Sequence, residues 1–246
     1  MKFSLLASLI APLAALAAPL VDRQAKPPAF ILTGDSTVSV NKGWGDGFVA
    51  LARNGALAQN KGHSGATTAT FVSGGDWATV LNLVKTNKAK YDVYVTLQFG
   101  HNDQKSTSGV SIAQFQTNLQ NMANQVKAAG ATPVILTSLT RRSFSSGTLK
   151  DSLADVSAAA KKAATAVGAQ LLDLNAASKK YIQAIGATNA AQYNFASDDT
   201  THLNDKGRAL FGRMVADLLI GWKPEFSSYL TANAALTQKI AQGVVA

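Results

Sequence analysis

Acyl transfer at a serine needs three parts: an exposed hydroxyl, an imidazole to take its proton, and donors for the negative oxygen that forms when a carbonyl carbon becomes tetrahedral. The sequence holds a short set of candidates for each. Gly34-Asp35-Ser36 follows the apolar run Ala29 to Thr33, which places a serine hydroxyl on a turn at the end of a buried strand. The chain has three histidines, His63, His101 and His202. His202 closes Asp199-Thr200-Thr201-His202, where a carboxylate three residues earlier can hold one ring nitrogen while the other takes the Ser36 proton. Asp198 competes for that carboxylate role. Gly100-His101-Asn102-Asp103 follows the run Tyr91 to Phe99, and an Asn102 amide there can donate to a developing oxyanion. In the loop Asn60 to Phe71, Gly65 can offer a bare backbone N–H to the same oxygen. Each piece also has a plainer reading. Gly-Asp-Ser and Asn-Asp are common turn formers, a loop glycine is most often a turn residue, and Asn204 or Asp205 would cap a following helix.

The elements that must position these residues are read from periodicity. Ala29 to Thr33, Tyr91 to Phe99, Thr132 to Leu136 and Gln170 to Leu174 read as strands. Gly45 to Arg53, Trp77 to Lys85, Ser111 to Ala129, Asp151 to Val167 and Asp205 to Leu219 read as helices, and the tail from Pro224 has room for one more. Strands alternating with helices of this length imply parallel β-α units, hence an α/β sheet covered by helices on both faces. In such sheets ligands bind beyond the carboxyl ends of the strands, where the loops from Asp35, Gly100 and Thr140 fall. There is no G-x-S-x-G, so the nucleophile elbow of the α/β-hydrolases is not supported. Nor is there a metal-ligand spacing such as H-E-x-x-H among the histidines, so a metal hydrolase on His63, His101 and His202 is disfavoured and no metal is expected.

Composition sets the class of protein and of partner. With 47% hydrophobic and 15% charged residues and a mean hydropathy of +0.06, 246 residues suffice for one sizeable core and are too apolar for a disordered chain. The absence of cysteine removes thiol chemistry and disulfides. Met1-Lys2, the apolar run Phe3 to Leu16 and the small-x-small Ala15-Leu16-Ala17 read as a secretory signal peptide over residues 1–17. A lead-in over 18–28 and a single domain over 29–246 would follow. Pro12 and Pro19 break the run short of a membrane span. The location expected is therefore extracellular, with no membrane partner. The net charge is +9, from 23 basic and 14 acidic residues, and +8 once Lys2 leaves with the leader. The basic residues fall in separated pairs, Arg141-Arg142, Lys161-Lys162 and Lys179-Lys180, without the aromatic interleaving of a nucleic-acid surface. An acidic polysaccharide fits better, and Arg141 and Arg142 on a loop at the carboxyl edge are the candidates to meet its carboxylates. Those arginines read as well as braces for their own loop.

Taken together, Gly34-Asp35-Ser36, Gly65, Gly100-His101-Asn102-Asp103 and Asp199-x-x-His202 resemble the four blocks of the SGNH, or GDSL-type, hydrolases, in the same order. Gly34-Asp35-Ser36-Thr37-Val38 with Gly43-Trp44-Gly45, and Thr140-Arg141-Arg142-Ser143-Phe144, are similar to the rhamnogalacturonan acetylesterases within that superfamily. The resemblance implies a three-layer α/β/α sandwich around a flavodoxin-like parallel sheet. It also implies Ser36 as nucleophile, His202 as base and Asp199 as its orienting carboxylate. The oxyanion hole would be the N–H groups of Ser36 and Gly65 with the Asn102 side chain. Thr37 departs from the leucine of the namesake motif, as in the acetylesterase branch. The expected protein is a monomeric, cofactor-free esterase acting on an acetylated acidic polysaccharide. The alternatives are a general carboxylesterase or lipase of the same type, and a non-catalytic carbohydrate-binding protein using Trp44 and Trp77 as stacking surfaces.

Overall fold

The computed structural model describes residues 26–246; the expected leader 1–17 and most of the lead-in lie outside them. Pro28 already belongs to the first strand, since a proline lacking an N–H is tolerated at a strand's first residue.

Five parallel strands form the sheet: β1 (Pro28–Gly34), β2 (Leu57–Asn60), β3 (Asp92–Gln98), β4 (Thr132–Leu136) and, after a small antiparallel hairpin of β5 (Phe144–Ser145) and β6 (Thr148–Leu149), β7 (Gln170–Leu172). Their order is β2-β1-β3-β4-β7. The chain reverses direction of travel across the sheet at β1, and the crevice between β1 and β3 is where such sheets bind ligands. β1 lies between two strands and is buried along its whole length, which is why Ala29 to Thr33 reads as one continuous apolar run.

Alternate residues of the strands feed two cores. Phe30, Leu32, Tyr94, Val134 and Leu136 pack beneath α1 (Gly45–Val49), α6 (Leu174–Ala190) and α7 (Asp205–Trp222). Ala29, Ile31, Val93, Val95, Leu97 and Ile135 pack beneath α3 (Asp76–Asn87), α4 (Ile112–Ala128) and α5 (Ala154–Val167), with the short α2 (Thr68–Ser73) at one end. This is the α/β/α sandwich expected. Trp44 and Trp77 are core residues, with their indole N–H groups on Gln98 Oε1 at 2.8 Å and Gln125 Oε1 at 2.6 Å, so neither is a stacking surface for sugars.

The sequence reading departs from the structure where tertiary contacts decide. The helix expected over Gly45 to Arg53 stops at Val49, because Ala52 bridges Leu230 and the Arg53 N–H bonds the Tyr229 carbonyl, pulling the chain into an extended exchange with the C-terminal region. The strand expected to reach Leu174 ends at Leu172, because Asp173 caps α6 through the Ala176 N–H. The tail holds α8 (Ala234–Gln242). Among the described residues no helix is long and apolar enough to cross a membrane.

Helices α1 and α7 cross at Gly47 and Gly212. A Cβ at Gly212 would lie 2.5 Å from the Gly47 carbonyl carbon and from the Phe48 nitrogen, backbone atoms that cannot swing away. Gly221, later in the same helix, faces open space. Gly212→Ala is therefore expected to destabilise by about 1–3 kcal/mol through overpacking. Gly221→Ala should be neutral or stabilising by up to about 1 kcal/mol through helix propensity. Thermal unfolding separates them, at about 2–4 °C per kcal/mol for a domain of this size; equal melting temperatures would contradict the tight crossing.

Candidate active site

The β1 strand delivers Ser36 through a turn held by its neighbour. Asp35 points inward, fully buried, and its Oδ1 accepts from the Thr37 N–H at 2.9 Å and the Thr37 hydroxyl at 2.7 Å. The Val38 and Ser39 N–H groups close the turn on the Asp35 carbonyl, each at 3.1 Å. A side chain locked in this way commits the turn's direction and leaves the next residue facing the crevice. Gln98, at the end of β3, extends the lock: its amide donates to the Thr37 hydroxyl at 2.8 Å and accepts from Trp44.

Ser36 Oγ lies 2.8 Å from His202 Nε2, and His202 Nδ1 lies 2.7 Å from Asp199 Oδ2. Asp199 Oδ1 accepts the backbone N–H groups of Thr201, at 3.0 Å, and of His202, at 2.9 Å. Partial burial alone would raise the Asp199 carboxyl, but these N–H groups and the imidazole hold it below its ordinary value. The carboxylate so stabilised orients the ring and can support an imidazolium. Asp198, on the same loop, is exposed. Asn204 rather than Asp205 caps α7, accepting the Gly207 N–H at 3.0 Å.

The His202 loop is braced from three sides. The Leu203 N–H donates to the Lys42 carbonyl at 2.8 Å, and the Phe195 N–H to the His202 carbonyl at 2.9 Å. Arg142 supplies the third brace, with Nη2 on the His202 carbonyl and Nε on Asn194 Oδ1, both at 2.6 Å. Burial pushes the Arg142 guanidinium down to about 10, with Asp199 opposing the shift, so it stays charged at neutral pH. Of the two arginines expected to meet a polymer, Arg142 is buried in this brace. Arg141 is half-buried, with Nε on the Thr201 hydroxyl and Nη1 on the Ser152 hydroxyl.

On the other side of Ser36, Asn102 Nδ2 donates to the Ala66 carbonyl at 3.0 Å and Oδ1 accepts from Lys105 at 2.8 Å. This fixes which way the amide points and leaves its second N–H free of that bond. Asp103 ties the same two loops together, accepting from the Thr68 N–H at 2.8 Å and the Thr68 hydroxyl at 2.6 Å at the start of α2. Burial pushes its carboxyl up. Gly65 has φ +84°, a conformation that a side chain would strain. Among the described residues, neither the Ser36 nor the Gly65 backbone N–H donates a hydrogen bond. The site thus combines a hydroxyl paired to an oriented imidazole with N–H donors left without a protein partner, an arrangement suited to acyl transfer.

The three histidines pair with three different carboxylates: His63 with Asp76, His101 with Asp35 and His202 with Asp199. The buried His101 ring has Nδ1 3.4 Å from Asp35 Oδ2. Burial would raise Asp35, but His101 and the Thr37 bonds outweigh it and hold the carboxyl below its ordinary 3.8. A depressed folded value means that the charged form stabilises fully above the ordinary value and that this is lost as pH falls through the lower one. Asp35→Asn is therefore expected to cost about 1–3 kcal/mol. In melts, the gap from wild type should be complete at about pH 5–6 and close below about pH 4. A gap unchanged down to about pH 2 would contradict this assignment. The sequence points to Arg142 as either a polymer contact or a loop brace, and the structure makes it a brace; nothing in the sequence assigns Thr37, Gln98 or Lys105 these roles.

Residues 32–210 match the GDSL-like Lipase/Acylhydrolase family. The chain is 30% identical over 212 residues to the rhamnogalacturonan acetylesterase RhgT of Bacillus subtilis (strain 168), covering 78% of this chain and 89% of that one. Among solved structures it is similar to protein YXIM of Bacillus subtilis, with a TM-score of 0.70 and 25% identity over 80% of this chain, though it spans only 57% of the length of YXIM. Axe2, an acetylxylan esterase from Geobacillus stearothermophilus, has the same fold at a TM-score of 0.57 and 14% identity, over 80% of this chain and 94% of that one. With the family matched over most of its length and a serine, histidine and aspartate joined at the carboxyl ends of its sheet, the chain belongs to the GDSL-like lipase/acylhydrolase family and is a carboxylic ester hydrolase of the SGNH type.

Proposed function

We propose that this esterase is secreted and removes acetyl groups from a plant cell-wall polysaccharide, with the rhamnogalacturonan of pectin as its substrate class. The observation that carries the chemistry is the continuous Asp199–His202–Ser36 relay at 2.7 and 2.8 Å. Likeness to a rhamnogalacturonan acetylesterase and the net charge of +9 support an acidic polymer as substrate, and the leader-like Met1 to Ala17 supports secretion.

Ser36 Oγ attacks the acetyl carbonyl carbon as its proton passes to His202 Nε2. Asp199 stabilises the imidazolium, and the N–H groups of Ser36 and Gly65 with the free N–H of Asn102 receive the oxyanion. The tetrahedral species expels the sugar oxygen, which takes the proton from His202 and leaves an acetyl group on Ser36. Water, deprotonated by His202, then releases acetate and restores the hydroxyl.

Acetate release from acetylated rhamnogalacturonan, acetylated xylan and 4-nitrophenyl acetate tests the reading. The highest kcat/KM is expected on rhamnogalacturonan. Added salt should lower kcat/KM far more on that polymer than on the neutral small ester, because screening shortens from about 10 Å at 0.1 M to about 3 Å at 1 M. A preference for xylan, or no acetate from either polymer, would overturn the substrate assignment.

A further inference from the structure

We propose that the hollow bounded by Phe195, beneath Lys42, is a subsite for a uronate sugar of the polymer chain, on the His202 side of the site of acetyl removal; this rests on the substrate reading above. The Asn194–Leu203 bridge continues with the Phe195 N–H on the His202 carbonyl at 2.9 Å, which sets Phe195 directly across from His202. Residues opposed in this way project to the same side of the pair, which puts the Phe195 ring on the face of the loop that carries the imidazole. A polymer presenting an acetyl group to Ser36 then has Phe195 on the His202 side of its path.

Phe195 is 46% exposed, the one aromatic ring among the large apolar side chains exposed in the described residues. Every other phenylalanine ring near the sheet is packed in a core. The ring borders a cavity of about 450 Å³ lined by Gln192, Asn204, Asp205, Lys206 and Arg208, which is large enough for a sugar ring. The face of an aromatic ring is electron-rich and attracts the weakly positive C–H groups on the apolar face of a pyranose.

Charge selects the kind of sugar. Lys42 holds its ammonium 5.7 Å from the Phe195 ring centroid, and its backbone is fixed by the bond from Leu203. Among the described residues no carboxylate pairs with Lys42 or with Lys206. Arg208 is engaged, on Asp205 and on the Asn41 carbonyl, so the single acid of the cavity is already matched. Two cations without carboxylate partners beside an exposed ring, in a hollow whose own acid is neutralised, suit a sugar with an apolar face and a carboxylate. A neutral sugar would use the ring and leave the cations idle.

The test measures kcat/KM for Phe195→Ala, Lys42→Met and Lys206→Met on acetylated rhamnogalacturonan, acetylated xylan and 4-nitrophenyl acetate at low salt, with melting temperatures as a check on folding. For Phe195→Ala, the ratio of polymer to small-ester kcat/KM is expected to fall about tenfold on both polymers, as loss of one good contact would give. For Lys42→Met and Lys206→Met, the ratio should fall several-fold on rhamnogalacturonan alone. Polymer and small ester falling together in Phe195→Ala would show that the ring acts only through His202 and would overturn the subsite. Equal effects of the lysine variants on both polymers would overturn the uronate assignment. A deacetylated rhamnogalacturonan oligosaccharide titrated calorimetrically into Ser36→Ala, alone and combined with each variant, gives a readout independent of turnover. If wild type releases no acetate from either polymer, the substrate reading fails; the subsite then stands if the titration shows binding weakened by the three substitutions, and falls if it does not.

Discussion

Ser36→Ala is expected to abolish ester hydrolysis while leaving the melting temperature within a few degrees of wild type. The hydroxyl makes one side-chain contact of note, the 2.8 Å bond to His202, whereas the turn around it is held by Asp35, Thr37 and Gln98. Removing Oγ therefore removes the attacking atom and little of the scaffold. In other serine hydrolases such a loss reaches on the order of a million-fold in kcat. The residual rate on 4-nitrophenyl acetate, measured on protein free of wild-type carry-over, decides the matter. A variant that keeps a tenth of the activity would place the chemistry on another group.

Asp199→Asn should be the next most damaging change, although it alters one atom. An asparagine can keep Oδ1 as acceptor for the Thr201 and His202 N–H groups, so the loop should hold. At the other position an N–H₂ replaces the oxygen that receives His202 Nδ1, which forces the ring proton to Nε2 and turns the atom facing Ser36 from acceptor to donor. The same change elsewhere lowers kcat by about 10⁴-fold. Because the Asp199 carboxyl lies below its ordinary 3.8, wild type keeps the charged form throughout the neutral range, and the deficit should persist across it. Asp198→Asn, on an exposed side chain of the same loop, is the matched control and should be close to wild type. A loss of less than about tenfold in Asp199→Asn would show that the orienting carboxylate contributes little beyond a hydrogen bond.

Much of the scaffold was legible because burial writes itself into residue type. β4 has the bounds expected of it, Thr132–Leu136, since a strand covered on both faces has to be apolar throughout. The helix over 112–128 was legible from apolar spacing, although Ser111, read as its first residue, is its N-cap. β2 was missed because Leu57–Asn60 is a half-buried edge strand without β-branched residues, recognisable only by its pairing with β1. α6 was missed because its Ala-rich turns show little periodic contrast and Gly186 interrupts them with a kink at positive φ.

At the site, Ser36, Asn102, Asp199 and His202 stood out because each sits where a strand ends or a helix begins, in a polar run that packing alone does not require. The groups that hold them were illegible for the opposite reason. Gln98 and Arg142 make their bonds to partners far away in sequence, 61 residues between Gln98 and Thr37 and 60 between Arg142 and His202, so the Arg141-Arg142 pair is visible but the carbonyl it braces is not. Lys105 looks like any surface lysine until its distance to Asn102 is known.

The relay spans the chain: Ser36 and His202 are 166 residues apart, and the helix that follows His202 must settle onto α1 through the close crossing at Gly47 and Gly212 before their side chains meet. A ribosome adding about 5–20 residues per second takes roughly 10–30 s to cover that interval. Throughout it the nascent chain carries its serine without a partner to deprotonate it, so the enzyme is born inactive and becomes competent only when its carboxyl-terminal third arrives.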